Sequence, residues 1–130
     1  MEAKEFLKQV RKIELLIENK EAEIEKAKML CLINFTNGKN EALEKKLNQY
    51  KNEISDSINL LIDKKKEIQN VIDRLSEADL IDILYKRYFQ FETWEKIATD
   101  KYFTFQWLHK LHARALKEVQ AILDEVKEWN

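Results

Sequence analysis

Apolar residues recur at alternating intervals of three and four along the first part of the chain. Phe6, Val10, Ile13, Ile17, Ile24, Ala27 and Cys31 keep this spacing from about Ala3 to Ile33, with Lys20 as its one polar interruption. Such a repeat collects its apolar side chains on one stripe of a helix, the seam of a coiled coil. Leu43, Leu47, Tyr50, Ile54, Leu61, Ile68, Val71 and Leu75 repeat the pattern and predict a second helix over about Glu41 to Arg74. Ser57 and Lys64 interrupt that stripe, and Ile58 and Ile72 widen it. At 1.5 Å per residue each helix is about 50 Å long.

Between them lies NFTNGKN, Asn34 to Asn40, a run of turn-forming residues in which Gly38 suits a left-handed position. Similar lengths and a short joint predict an antiparallel helical hairpin over residues 1–75. A single seam buries too little surface to hold such a hairpin together, so the pattern predicts a homodimer or homotetramer. The oligomerisation seam is Val10, Ile13, Ile17, Ile24, Leu47, Ile54, Leu61 and Ile68. The competing arrangement folds the hairpin back onto the C-terminal helices.

Beyond residue 75 the elements shorten. Ser76 reads as a helix cap, with Glu77 and Asp79 in a first turn where carboxylates suit the helix dipole. A third helix is expected from about Glu77 to Phe89, with Leu80, Ile81, Leu84, Tyr85 and Tyr88 on its apolar side. Thr93 caps a short helix, Trp94 to Thr99, and Asp100 to Phe103 connects it to a last helix that Thr104 caps and that continues to about Glu128. The expected fold is therefore all-α, a long coiled-coil-like hairpin followed by a three-helix helix-turn-helix domain over residues 76–130.

Composition narrows the picture. Charged residues make up 36% of the chain, there is no proline and Gly38 is the one glycine, which disfavours strands joined by tight turns. The net charge of −1 argues against binding nucleic acid by bulk charge. Locally the balance differs: residues 101–117 hold Lys101, Lys110, Arg114, Lys117, His109 and His112 and no acid. Cys31 is the one cysteine, so no intrachain disulfide framework is expected. MEAKEFLKQV lacks a signal-peptide core, and the longest apolar run, Met29 to Ile33, is far short of a membrane span. A cytoplasmic protein without a membrane partner is expected.

A helical wheel divides the last helix in two. Leu108, Leu111, Ala115, Val119, Ile122 and Val126 lie on one side, and Gln106, His109, Lys110, Ala113, Arg114 and Lys117 on the other. The second helix of a helix-turn-helix presents its N-terminal residues to base edges in the major groove. Gln106 and Lys110 stand one turn apart on that face. Gln pairs with adenine and Lys donates to guanine. His109, Arg114 and Lys117 stand where phosphate contact is expected, and Lys86 and Arg87 on the preceding helix add to that set. A long amphipathic helix with Lys and Gln outside is more often only solvated, so the short capped helix before it is what favours DNA.

Thr104 to Val119, TFQWLHKLHARALKEV, resembles the recognition helix of bacterial sigma factor region 4, with its Thr cap, buried branched residues and A-[KR]-A-L ending, here Ala113-Arg114-Ala115-Leu116. TWEKIA, from Thr93, is similar to the helix that precedes it. The wider pattern YKRY…TWEKIA…WLHKLHARAL, over Leu84 to Leu116, resembles small phage-encoded regulators of the RinA type. The resemblance implies a sigma region 4-like DNA-binding domain behind a helical N-terminal region. Carried over by position, it puts base contacts on Phe105, Gln106 and Lys110 and backbone contacts on Thr104, His109, Arg114 and Lys117. It also admits RNA polymerase as a partner.

The chain departs from the pattern at Phe105 and Trp107, where region 4 carries charged residues. The phage regulators it resembles tend to place glycine in the turn where this chain has Tyr102. A left-handed backbone costs such a residue about 1–2 kcal/mol, which favours a rebuilt turn.

Other constellations are weaker. His109 and His112 are one turn apart, but no nearby carboxylate or cysteine completes a metal site, and His112 reads as a boundary residue. Cys31 in MLCLI has no neighbouring base and reads as a small core residue. Tyr85, Tyr88, Phe89, Phe91, Trp94, Tyr102, Phe103, Phe105 and Trp107 read as the core of the small C-terminal unit, with Phe105 the one outside its centre. No glycine-rich phosphate loop, cofactor motif or catalytic set is present, so no enzyme and no cofactor are expected. The expected function is sequence-specific binding of double-stranded DNA by a transcriptional regulator of phage or prophage genes, acting in a bacterial host and reading the major groove with helix 104–117. The alternative is a helical-hairpin scaffold that binds a protein such as RNA polymerase and not DNA.

Overall fold

The long heptad-like runs become long helices, and every other element is helical too. The computed structural model describes residues 1–36 and 41–129, with side chains described for 1–33 and 41–126. Helix α1 spans Ala3–Thr36 and α2 spans Glu41–Asp73. Three shorter helices follow: α3 over Ala78–Leu84, α4 over Trp94–Lys101 and α5 over Phe105–Trp129. No strand occurs among the described residues, so the fold is all-α. No helix among them is long and apolar enough to cross a membrane. Helix α1 runs on to Thr36, past the expected Ile33, and the remainder of the expected joint, including Gly38, lies outside the described residues.

Contacts divide the chain into two compact units, Met1–Lys12 with Lys65–Asn130, and Ile13–Lys64. The expected hairpin segment is thus shared between the two, with its first residues and its last turns grouped with α3, α4 and α5. In that larger unit Leu7, Val10, Ile68 and Ile72 are fully buried together with Leu80, Ile83, Leu84, Ile97, Leu108, Leu111 and Val119. Truncating such a core leucine to alanine costs about 2–5 kcal/mol. The start of α1 is held as well: the Ala3 N–H donates to Gln120 Oε1 at 2.8 Å, and Gln120 Nε2 donates to the Met1 carbonyl at 3.3 Å.

In the smaller unit, Ile13, Ala27 and Ile54 are buried, while the seam positions Ile17, Ile24, Leu47 and Leu61 are half-buried. Leu30, Leu32 and Leu60 are exposed there.

Three local expectations are corrected. Ser76 does not cap α3: its N–H and hydroxyl both donate to the Glu118 carboxylate, at 2.8 and 2.9 Å. Glu77 takes the cap position without a side-chain bond. The third helix does not continue regularly to Phe89, because Tyr85–Phe89 forms a π-helical turn. The expected aromatic core is mostly aliphatic. Tyr88 is buried, but Phe91, Tyr102, Phe105 and Trp107 are exposed and the others half-buried. Leucine and isoleucine from α3 and α5, with the start of α1, already fill the interior, and the aromatics cover its edges.

Candidate nucleic-acid interface

Two threonines and a tyrosine shape the C-terminal segment. Thr93 Oγ1 accepts from the Lys96 N–H at 3.2 Å and opens α4, as expected from sequence. At the other end Tyr102 adopts φ 57° and ψ 37°, in the left-handed region. The Phe103 N–H then reaches the Ala98 carbonyl at 2.9 Å and the Tyr102 N–H the Thr99 carbonyl at 3.3 Å, the paired bonds of a Schellman termination. The turn is therefore not rebuilt to avoid the strain: tyrosine occupies the position that suits glycine, with its side chain 95% exposed. Thr104 Oγ1 accepts from the Trp107 N–H at 3.1 Å and starts α5.

Helix α5 divides as its wheel predicts as far as Ile122, but Val126, expected on the apolar side, is 47% exposed. Leu108, Leu111, Ala115 and Val119 are buried, and Phe105, Gln106, His109, Lys110, Ala113, Arg114 and Lys117 are exposed. Gln106 and Lys110 stand together on the open side, one turn apart. Phe105 is 50% and Trp107 46% exposed at the start of the same helix.

The electrostatics differ from those of the bare segment. Arg114 Nη2 lies 2.8 Å from Glu77 Oε1. Lys101 Nζ lies 2.6 Å from Asp82 Oδ2 and 3.3 Å from Asp79 Oδ1. The acid-free stretch thus meets carboxylates contributed by α3 and the residue before it. Lys86 pairs with Glu92 at 3.9 Å. Lys110 and Lys117 have no ion-pair partner among the described residues.

His112 is not a boundary residue. It is 9% exposed, joined to the Tyr88 hydroxyl by a hydrogen bond of 2.9 Å and set edge-on to Trp94 with ring centroids 4.5 Å apart. Burial, then the positive charges of Lys4, Arg87 and His109, push its pKa down to about 4, so the ring is neutral at pH 7. His109 stays exposed, with its ring 6.1 Å from that of Trp94.

Sequence reasoning missed Glu77 as the partner of Arg114, since only tertiary packing joins them. It also gave no role to Lys4, Lys8 and Arg11, although their spacing puts all three on one side of α1. Set beside known proteins, the chain matches no family model, no curated protein and no solved structure.

Proposed function

We propose that the chain is a double-stranded DNA-binding transcriptional regulator, acting on phage or prophage genes in the cytoplasm of a bacterial host. The observation that carries this reading is the sequence of capped α4, left-handed turn and capped α5, with Gln106 and Lys110 exposed together near the start of α5. That order and length of elements fit a helix-turn-helix whose second helix lies in the major groove. Gln106 reads adenine, Lys110 reads guanine and Phe105 packs on a thymine methyl. Thr104, His109 and Lys117 hold phosphates, and Arg114 joins them by exchanging Glu77 for the backbone. The residues Ile13–Lys64 supply self-association as a helical hairpin, which sets two reading heads on one duplex and raises affinity through effective concentration.

A second reading rests on Tyr102, Phe105 and Trp107. Exposed aromatics this near in sequence are the anchors expected of a protein interface, with RNA polymerase as the partner. Selection of bound sequences from random duplexes, with titrations at several salt concentrations and a measured mass in solution, separates the two. Affinity that falls steeply with salt and a recovered sequence preference support the regulator. Salt-insensitive or absent duplex binding overturns it in favour of the scaffold, and a monomeric mass overturns the paired reading heads.

A further inference from the structure

Charge in this chain is nearly balanced, with 23 Lys and Arg against 24 Asp and Glu, and Arg74, Lys86, Lys96, Lys101 and Arg114 of the larger unit sit beside carboxylates. A cluster of four cations in the same unit does not. Lys4, Lys8 and Arg11 on α1 and Arg87 on the π-helical turn line a cleft of about 510 Å³, and no carboxylate lines it. None of the four is engaged in an ion pair among the described residues.

The two guanidiniums are held in place by aromatic rings. Arg11 Cζ lies 5.0 Å from the centroid of Phe91 and Arg87 Cζ 4.6 Å from that of Trp94, and both rings belong to the cleft. Arg87 Nη1 also donates to the Glu92 carbonyl at 3.0 Å. Stacking fixes the plane of a guanidinium while its edge keeps donors for an oxyanion, so little entropy remains to be lost on binding.

The backbone is unusual at the same place. The π-helical turn Tyr85–Phe89 carries Arg87 and Tyr88, and Phe91 adopts φ 56°, a left-handed conformation without glycine. Departures of this kind are costly, and they recur where side chains must be aimed at a ligand. The positive field also reaches inward, since Lys4 and Arg87 help to depress the pKa of His112.

We propose that this cleft is a phosphate-binding site, in which Arg11 and Arg87 fork onto phosphate oxygens and Lys4 and Lys8 neutralise the remaining charge. Forked guanidiniums beside point-charge ammoniums match phosphate oxyanions. The phosphates belong either to a free diphosphate-bearing ligand or to the backbone of a nucleic acid. The site stands apart from base reading by α5 and does not require it.

Trp94 lines the cleft and serves as its reporter once Trp107→Phe and Trp129→Phe are introduced into the full chain. Inorganic pyrophosphate and a short duplex of random sequence are titrated separately against its fluorescence. A saturable response to pyrophosphate assigns the site to a free ligand, and a response to the duplex alone assigns it to the nucleic-acid backbone. In either case Lys8→Gln with Arg11→Gln weakens binding on the order of tenfold. Lys8→Arg retains it, and Lys110→Ala leaves the pyrophosphate response unchanged. Both replaced side chains near the cleft mouth are exposed, so helicity measured by circular dichroism should match the parent. The proposal is overturned if neither titrant moves Trp94, or if the double variant folds and binds as tightly as the parent.

Discussion

Glu77 holds Arg114: the carboxylate at the start of α3 lies 2.8 Å from a guanidinium on the exposed side of α5. Both side chains are half open to solvent, so the pair contributes at most about 1 kcal/mol to stability. Its larger effect is on the field over the α5 face. A paired Arg114 presents no net charge to a phosphate, and Glu77 repels one. Glu77→Gln should therefore leave the melting temperature nearly unchanged while tightening binding to duplex DNA several-fold. If Arg114 then contacts a phosphate, the slope of log affinity against log salt steepens by about 0.9. Anisotropy titrations of a labelled duplex at several salt concentrations measure both, and an unchanged slope removes Arg114 from the backbone contacts.

Tyr102 carries a conformational cost that its side chain does not offset by packing, since it is 95% exposed. Glycine at that position relieves about 1–2 kcal/mol of left-handed strain. It also loosens the unfolded chain by about 0.4–1 kcal/mol. The net expectation for Tyr102→Gly is a gain of roughly 0.5–1 kcal/mol, a rise in Tm of about 2–5 °C. Thermal melts of the two proteins decide it. A fall in Tm would show that the tyrosine makes a compensating interaction. Loss of a binding partner in Tyr102→Gly, with Tm raised, would instead explain why the strain is retained.

What could be read in the sequence was what depends on near neighbours. The Thr93 and Thr104 caps, the inner and outer sides of α5 as far as Ile122 and the all-helical build follow from local spacing and hydrogen-bonding chemistry, and all are present. Ser76 was misread because a cap signal is local, whereas Glu118 reaches it from 42 positions away. The π-helical turn was not legible because Tyr85 to Phe89 has ordinary helical composition. The candidate face was legible by position but not by charge: Glu77, Asp79 and Asp82 arrive beside Arg114 and Lys101 only once α3 packs. His112 was misplaced for a similar reason. Its burial depends on Tyr88 and Trp94, which no periodicity on α5 reveals.

His112 makes stability depend on pH. Its folded pKa is depressed to about 4 from an ordinary value of 6.5, so between those values the unfolded chain binds more protons than the folded one. Stability therefore rises with pH through that window. It is fullest above about pH 6.5 and is lost progressively as the pH falls towards 4. Denaturant melts from pH 7.5 down to pH 4.5 should show a steady decline. His112→Gln keeps a polar partner for Tyr88 but cannot titrate, so its decline should be shallower over the same range. Parallel curves for the two proteins would mean that other groups govern the acid response.

If α5 reads DNA as proposed, Lys110 and Lys117 separate base reading from phosphate holding on one helix. Both are exposed, and neither has an ion-pair partner among the described residues, so either can be truncated with a change in stability of about 0.5 kcal/mol or less. Lys110 stands one turn beyond Gln106 near the start of α5, where the proposed docking reaches base edges. Lys117 is two turns further along, where the proposed docking takes the helix off the groove floor. Lys110→Ala should cost about 1–3 kcal/mol on the preferred duplex, with relaxed preference at one base pair and little change on random DNA. Lys117→Ala should weaken preferred and random duplexes alike and flatten the salt slope by about 1. Parallel titrations of the two variants on both duplexes test the register of α5 directly. Equal, sequence-independent losses for both would place the whole helix on the backbone, and reversed behaviour would turn the helix end for end in the groove.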